Sequence, residues 1–238
     1  DEANFVSANI FELHNTQQRK FSDFAILYRT NSQTRAFEDA LRKKNIPYRV
    51  YGGLSFYQRK EVKDLLAYLR ILINENDSEA LSRIINYPAR GIGETTQNKL
   101  VVFADARNVP ITQVLDNLGF YAPQLGLNNG IITKLGDFWA MIKAFQVMLK
   151  TENVYDVAME VAKRSGLIKF LKEDQTPEGI SRVENIQELL NSMQGFIEEQ
   201  RQIEDGDPSL SNFLENIALS SDTQNDKDDG DKVSLMTI

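Results

Sequence analysis

The sequence predicts a mixed α/β segment joined to a mainly α-helical one, with helix predominant over the whole chain. Three observations carry this. A short apolar run, Phe24–Leu27, and a second strand-like stretch, Tyr48–Tyr51, flank a helical pattern, so strand, helix and strand fit within about thirty residues, the size of a βαβ unit. From about Asn128 the strand signals stop. There Ile131, Leu135, Phe138, Ile142, Phe145 and Leu149 recur at alternating spacings of four and three, a helical core stripe. Finally, residues 233–238 (VSLMTI) alternate apolar and polar, as a strand does.

Each element follows from local pattern. Phe5, Val6, Ile10 and Leu13 give a helix over residues 1–18. Phe24–Leu27 is a continuous apolar run, as in a strand buried on both faces. Ser32 suits the N-cap of a helix running to Lys44, with Phe37 and Leu41 inward. Pro47 ends it, and Tyr48–Tyr51 reads as a strand closed by Gly52-Gly53. A strong helix follows over Ser55–Ile73, with Val62, Leu65, Leu66, Leu69 and Leu72 on its apolar side. Another spans about Ala80–Ile85, Pro88 breaks it, and Arg90-Gly91-Ile92-Gly93 turns tightly into a further helix. Beyond the stripe, with Trp139 as core, helices are expected near Val154–Arg164, just after Ser165-Gly166, and from Pro177 to about Gln200. Asp207-Pro208 reads as N-cap and first turn of a helix to about Leu219. The boundaries expected are therefore 1–125, 126–219, an acidic mobile loop at 220–232, and a strand at 233–238 that rejoins the first segment. The apolar strand at one end and the helical pattern already under way at the other read as a piece excised from a larger protein.

Composition excludes several chemistries. The 238 residues contain no Cys, so no thiolate metal site or Cys nucleophile exists, and one His (His14) excludes a multi-His metal site. No apolar run approaches the ~20 residues that cross a bilayer, and no signal peptide opens the chain, so a cytoplasmic protein with no membrane partner is expected. The net charge of −7 argues against nucleic acid until it is divided. Residues 1–125 hold 16 basic and 14 acidic side chains, whereas residues 126–238 hold 11 and 20. Residues 29–70 alone hold 10 basic against 4 acidic, so the average conceals a basic stretch and an acidic half. Nothing matches G-x-x-x-x-G-K-[ST], and the glycine pairs do not fit a dinucleotide fingerprint, so a self-contained nucleotide enzyme is not expected.

The positive signals are three. Tyr28-Arg29 follows directly on the first strand, and ligands of open α/β sheets bind at the carboxyl ends of strands. An aromatic there can stack on a base and an arginine can fork onto a phosphate, or both side chains can simply snorkel. Arg59, Lys60 and Lys63 make a cationic stripe at the start of a helix: a solvated face paired with Glu61 and Asp64, a domain-coupling element, or a contact for a nucleic-acid strand. Two glycine turns, Arg90-Gly91-Ile92-Gly93-Glu94-Thr95-Thr96 and Lys163-Arg164-Ser165-Gly166-Leu167-Ile168-Lys169, can face a phosphate with backbone N–H groups, with Thr95 and Thr96 adding hydroxyls and Glu94 opposing. Either turn can equally be a plain helix-ending glycine.

The run Ala25–Arg35 (AILYRTNSQTR) resembles motif IV of the UvrD/PcrA/Rep helicases of superfamily 1. Ile46–Gly53 (IPYRVYGG), Phe56-Tyr57, Arg59–Asp64 (RKEVKD), Ala67–Arg70 (AYLR) and Pro88–Gly93 (PARGIG) continue the resemblance in order, and Val233–Ile238 is similar to the opening of motif V, including Thr237. The match is dense over residues 24–100, thin over 105–225, and returns at the end. It implies the first part of a second RecA-like motor domain, its helical insertion, and the re-entering strand. It also implies an ATP-dependent 3′→5′ DNA helicase as the parent, using ATP with Mg²⁺ held on a first motor domain outside this chain. The chain alone would then be inactive and bind no cofactor or metal. Residue by residue, the resemblance implies that Tyr28 stacks on adenine and Arg29 reaches the γ-phosphate across the cleft. Gln33 and Arg35 match motif positions, where capping and packing are the competing roles. Arg90, Gly91, Gly93, Thr95, Thr96, Ser165, Gly166 and Lys169 would meet DNA. Partners implied are single-stranded and duplex DNA and the first motor domain. The alternative is an insertion that binds regulatory proteins or restrains the motor, with little DNA binding of its own.

Overall fold

The computed structural model describes residues 2–30, 33–222 and 230–237. In chain order these form α1 (Glu2–Gln17), β1 (Ala25–Tyr28), α2 (Thr34–Lys43), β2 (Tyr48–Tyr51), α3 (Lys60–Ile73), α4 (Ser78–Ile84), α5 (Glu94–Asp105), α6 (Ile111–Asp116), α7 (Leu118–Leu125), α8 (Asn129–Met148), α9 (Val154–Arg164), α10 (Leu167–Lys172), α11 (Pro177–Gln202), α12 (Leu210–Asp222) and β3 (Val233–Thr237). Helix predominates, as expected, around one small parallel sheet. The chain divides into two compact units: residues 1–63, 176–189 and 215–238, and residues 64–175 and 190–214. The change of sequence texture near residue 125 lies inside the second unit.

The first unit holds the sheet. Its order is β1-β3-β2, all parallel, so β3 separates the two strands read as one βαβ unit. Register pairs Tyr28 with Thr237 and Tyr48 with Val233. Val233 and Leu235 are fully buried and join Ile26, Tyr28, Phe37, Leu41 and Ile46 in one core. β1 is not buried on both faces: Ile26 and Tyr28 point inward, while Ala25 and Leu27 (57% exposed) face out, because no described element of the unit covers that side. The first position before α2 is Gln33, so the helix begins one residue later than a Ser32 cap requires; Ser32 itself lies outside the described residues. The helix expected from Ser55 is interrupted. Phe56–Gln58 forms a 3-10 turn and Arg59 is extended (φ −64°, ψ 142°), so α3 starts at Lys60.

Among its described residues the second unit has helices and turns and no strand. Asp77, Asn128 and Asn153 accept N–H bonds from Ala80, Ile131 and Asp156, so α4, α8 and α9 start at side-chain caps. The α8 stripe buries Leu135, Phe138, Ile142 and Phe145, and Trp139 is core, its indole N–H donating to Asp116 at 2.7 Å. α6 and α7 were not expected: they are short, and Pro123 sits inside α7. α12 begins at Leu210, three residues past Asp207. Asp207 accepts from the Ser209 amide and hydroxyl, and the Ser209 hydroxyl accepts from the Asn212 N–H, so serine does the capping. Of the acidic tract, Ser220–Asp222 continue α12, and residues 223–229 lie outside the described residues, as does Ile238. Among the described residues no helix is long and apolar enough to cross a membrane.

Candidate functional site

Two clusters contain the residues singled out by sequence. The first lies at the carboxyl end of β1. Alternation along the strand sends Tyr28 inward and Arg29 outward. Tyr28 is 4% exposed, packs on Phe37 with ring centroids 6.5 Å apart, and its buried hydroxyl has no partner among the described residues. To stack on a base, the ring must leave this packing. Arg29 already faces solvent, and no acidic side chain among the described residues pairs with it. Its backbone is held by Gln33, whose Oε1 accepts the N–H of Arg29 at 3.0 Å and of Thr30 at 3.1 Å. Thr237 lies beside Tyr28 in the sheet and is exposed.

Around this strand end the other two motif arginines, Arg35 and Arg59, bond to neighbouring side chains. Arg35 binds Asp39 and Glu188, each at 2.7 Å. Burial works against its charge, but the two carboxylates outweigh it and raise its pKa further. Arg59 is buried. Its guanidinium donates to Asn185 Oδ1 at 2.8 Å and to the Thr34 hydroxyl at 3.3 Å, and lies over the Phe56 ring. Desolvation depresses its pKa, with Glu38 and Glu61 opposing. Asn185 in turn donates to Glu61 at 2.6 Å, and Asp64 pairs with Arg83 at 2.7 Å. The two acids expected to neutralise the stripe are therefore engaged with these groups. Lys60 and Lys63 remain exposed on the first turn of α3. Arg59 thus parts company with them, because the break before α3 turns it into the interior.

The second cluster brings the two glycine turns together. Arg90 does it. One Nη donates to the carbonyls of Ile84 (3.1 Å) and Pro88 (3.0 Å). The other donates to Tyr68 Oη (2.6 Å) and to the Ser165 carbonyl (2.7 Å). The guanidinium also lies over the Tyr68 and Phe138 rings. Arg90, expected at the surface as a DNA contact, is thereby an internal tie between the Gly91 and Gly166 turns. Asn86 shapes the first turn: its Oδ1 accepts the N–H of Arg90 (2.9 Å) and of Ile92 (3.0 Å), while Ile92 plugs the core at 0% exposure. Gly91 and Gly166 have φ of +75° and +85°, the left-handed region that glycine adopts without strain. Gly91, Gly93, Thr95 and Lys169 are exposed; Thr96 and Ser165 are buried. Sequence reasoning missed Lys134. Its Nζ stands 2.5 Å from where a β-carbon on Gly91 would lie, which puts an α8 ammonium against the turn. Nothing in the local sequence signals this, since Lys134 is distant in the chain. Among the described residues no group of three or more His, Asp or Glu could hold a metal ion.

The profile of the UvrD-like helicase C-terminal domain family matches residues 1–238. Proteins described as ATP-dependent DNA helicase PcrA from Staphylococcus aureus and from Staphylococcus epidermidis are each 37% identical to the chain over 238 residues. The match covers 100% of this chain and 31% of each relative. The chain therefore spans about a third of the length of these curated relatives.

Proposed function

The chain belongs to the UvrD-like helicase C-terminal domain family, and from that premise we propose that it is the part of an ATP-dependent, 3′→5′ translocating DNA helicase that supplies an arginine to the phosphates of ATP. The carrying observation is Arg29: exposed, without an acidic partner among the described residues, and fixed at the carboxyl end of a parallel strand. A guanidinium in that position offers parallel N–H donors to γ-phosphate oxygens and stabilises charge that develops as the terminal phosphoryl group departs. Such a finger is worth about 10³–10⁵ in rate where an NTPase depends on it. ATP itself supplies the phosphoryl group. The cradle for its phosphates and for Mg²⁺ is assigned to the first motor domain. Tyr28 is assigned to the adenine, and stacking requires its ring to move off Phe37. Gly91, Gly93, Thr95 and Lys169, with Lys134, are assigned to backbone phosphates of DNA, and Arg90 and Ser165 to holding the two turns in register.

The test is DNA-stimulated ATP hydrolysis by the intact parent protein. Arg29→Ala should lower kcat by about 10³ or more while ATP still binds. The 238-residue chain alone should show no turnover. Full kcat in Arg29→Ala would overturn the assignment of Arg29, and turnover by the isolated chain would overturn the placement of the phosphate cradle on the first motor domain. The excess of acidic residues after residue 125 favours a second reading, a protein-binding or restraining role for the helical unit. DNA binding that weakens steeply with salt supports phosphate contact, whereas no binding at low salt supports the second reading.

A further inference from the structure

We propose that Gln33 is a positioning residue for Arg29. The inference rests on the reading of Arg29 as the phosphate-reaching group and adds the device that aims it. β1 ends at Tyr28, where pairing with Thr237 fixes the chain on one side of Arg29. On the other side the chain leaves the sheet at the N–H groups of Arg29 and Thr30. Gln33 Oε1 accepts both, from Arg29 at 3.0 Å and Thr30 at 3.1 Å, and the Gln33 N–H donates back to the Thr30 carbonyl at 3.1 Å. Two successive peptide groups are thus pinned to one oxygen, and the Arg29 Cα lies between a paired strand and this clamp.

The competing role, helix capping, is not what the side chain does. Gln33 occupies the N-cap position of α2 with helical backbone angles (φ −68°, ψ −21°), yet its side chain accepts no N–H from its own helix. It reaches backward to the arginine instead. Its base is firm, because Thr34 and Glu38 are fully buried and Phe37 and Leu41 belong to the core. The side chain is itself exposed, so its loss removes little packing. A catalytic group misplaced by about 1 Å can lose on the order of 10² in rate. Removing the clamp should therefore be felt in the chemical step far more than in folding.

The experiment uses the intact parent protein and compares wild type, Gln33→Met, Arg29→Ala and the double variant by steady-state and single-turnover ATP hydrolysis in saturating DNA. Methionine keeps the length of glutamine and lacks the acceptor oxygen. The expected result is a kcat lowered about 10-fold or more by Gln33→Met. KM for ATP should stay within about threefold and Tm within about 2 °C, because the change is exposed and remote from the core. Amide exchange should be faster at Arg29 and Thr30 only. The double variant should be no slower than Arg29→Ala alone, since a group acting through Arg29 has nothing left to position. Full kcat in Gln33→Met beside a deficient Arg29→Ala overturns this proposal and leaves the Arg29 assignment standing. A Gln33→Met defect that multiplies undiminished onto Arg29→Ala also overturns it, as does a large drop in Tm. Full kcat in Arg29→Ala overturns both.

Discussion

Replacing Arg90 by alanine deletes four hydrogen bonds from one guanidinium, to Ile84 O, Pro88 O, Tyr68 Oη and Ser165 O. Hydrogen bonds from a charged donor are worth about 1.5–3 kcal/mol each by deletion, so simple addition gives on the order of 6–12 kcal/mol. That sum is too large for two reasons. Arg90 is half-buried, so water reaches part of the vacated site, and the cost of desolvating the guanidinium is recovered. Tyr68 also keeps its donor bond to the Tyr87 carbonyl at 2.6 Å. Leaving buried acceptors short of a donor costs about 1–3 kcal/mol, and the upper end, about 3 kcal/mol, suits a site that loses four bonds at once. Urea unfolding of the chain followed by circular dichroism reads it as a midpoint lowered by about 1 M or more, with the slope unchanged. Arg90→Lys should fall between, because an ammonium cannot fork to four acceptors. Thr95→Ala and Lys169→Ala, both exposed, should stay within about 0.5 kcal/mol. A loss below about 1 kcal/mol for Arg90→Ala would refute the internal tie. If such a variant lost DNA affinity and its salt slope fell by about 0.9, Arg90 would be a phosphate ligand instead.

Gly166→Ala places a side chain at φ +85° with nothing within 4 Å, so backbone strain alone should cost about 1–2 kcal/mol in the same unfolding assay. In a spectrophotometric titration, Tyr68 should ionise late, its pKa pushed up to about 12 chiefly by burial. A phenol raised in the folded state contributes stability that is whole below the unfolded value of about 10 and is lost as pH rises through about 12. Tyr68→Phe should remove that step, and an unchanged titration would count against the buried placement. Asp231 is held below the usual carboxylate range, first by the Ser22 N–H that donates to it at 2.6 Å. Its contribution is therefore present above about pH 3.9 and is lost as pH falls further. Exchange of the Ser22 amide should accelerate in that window, and Asp231→Asn should abolish the pH dependence.

Much of the architecture was legible because it is periodic. The α8 stripe, the inward side of α3 and the alternation in β3 all follow from spacing, and the residues expected are buried except at the ends of the stripe, where Ile131 and Leu149 are only half-buried. What sequence could not supply were contacts between segments remote in the chain. Arg59 and Lys60 are neighbours in sequence, yet one is buried beside Asn185 and the other is exposed at the start of α3, because Arg59 is extended and stays out of the helix. Arg90 looked like a surface cation because Ser165, Phe138 and Tyr68, which enclose it, carry no local sign of doing so. β1 looked doubly buried because apolar runs normally are, whereas here Leu27 is open. Gln33 was legible as a motif position, but the direction of its side chain was not.

The middle position of β3 has a kinetic consequence. The strand that joins β1 to β2 is the last of the three in the chain, and the clasp from Ser22 to Asp231 closes over 209 residues of sequence. Closing so long a loop costs entropy before any pairing rewards it, and non-local pairings form slowly. The helical unit is built from nearer neighbours and needs no strand, so it should acquire protection first. Ile26 and Tyr28 must wait for Val233 and Leu235 to complete the core they share. The arginine proposed to reach the phosphates of ATP is therefore aimed only when synthesis has passed β3, and a ribosome-bound chain cut short of it would carry the helices without that arginine in place.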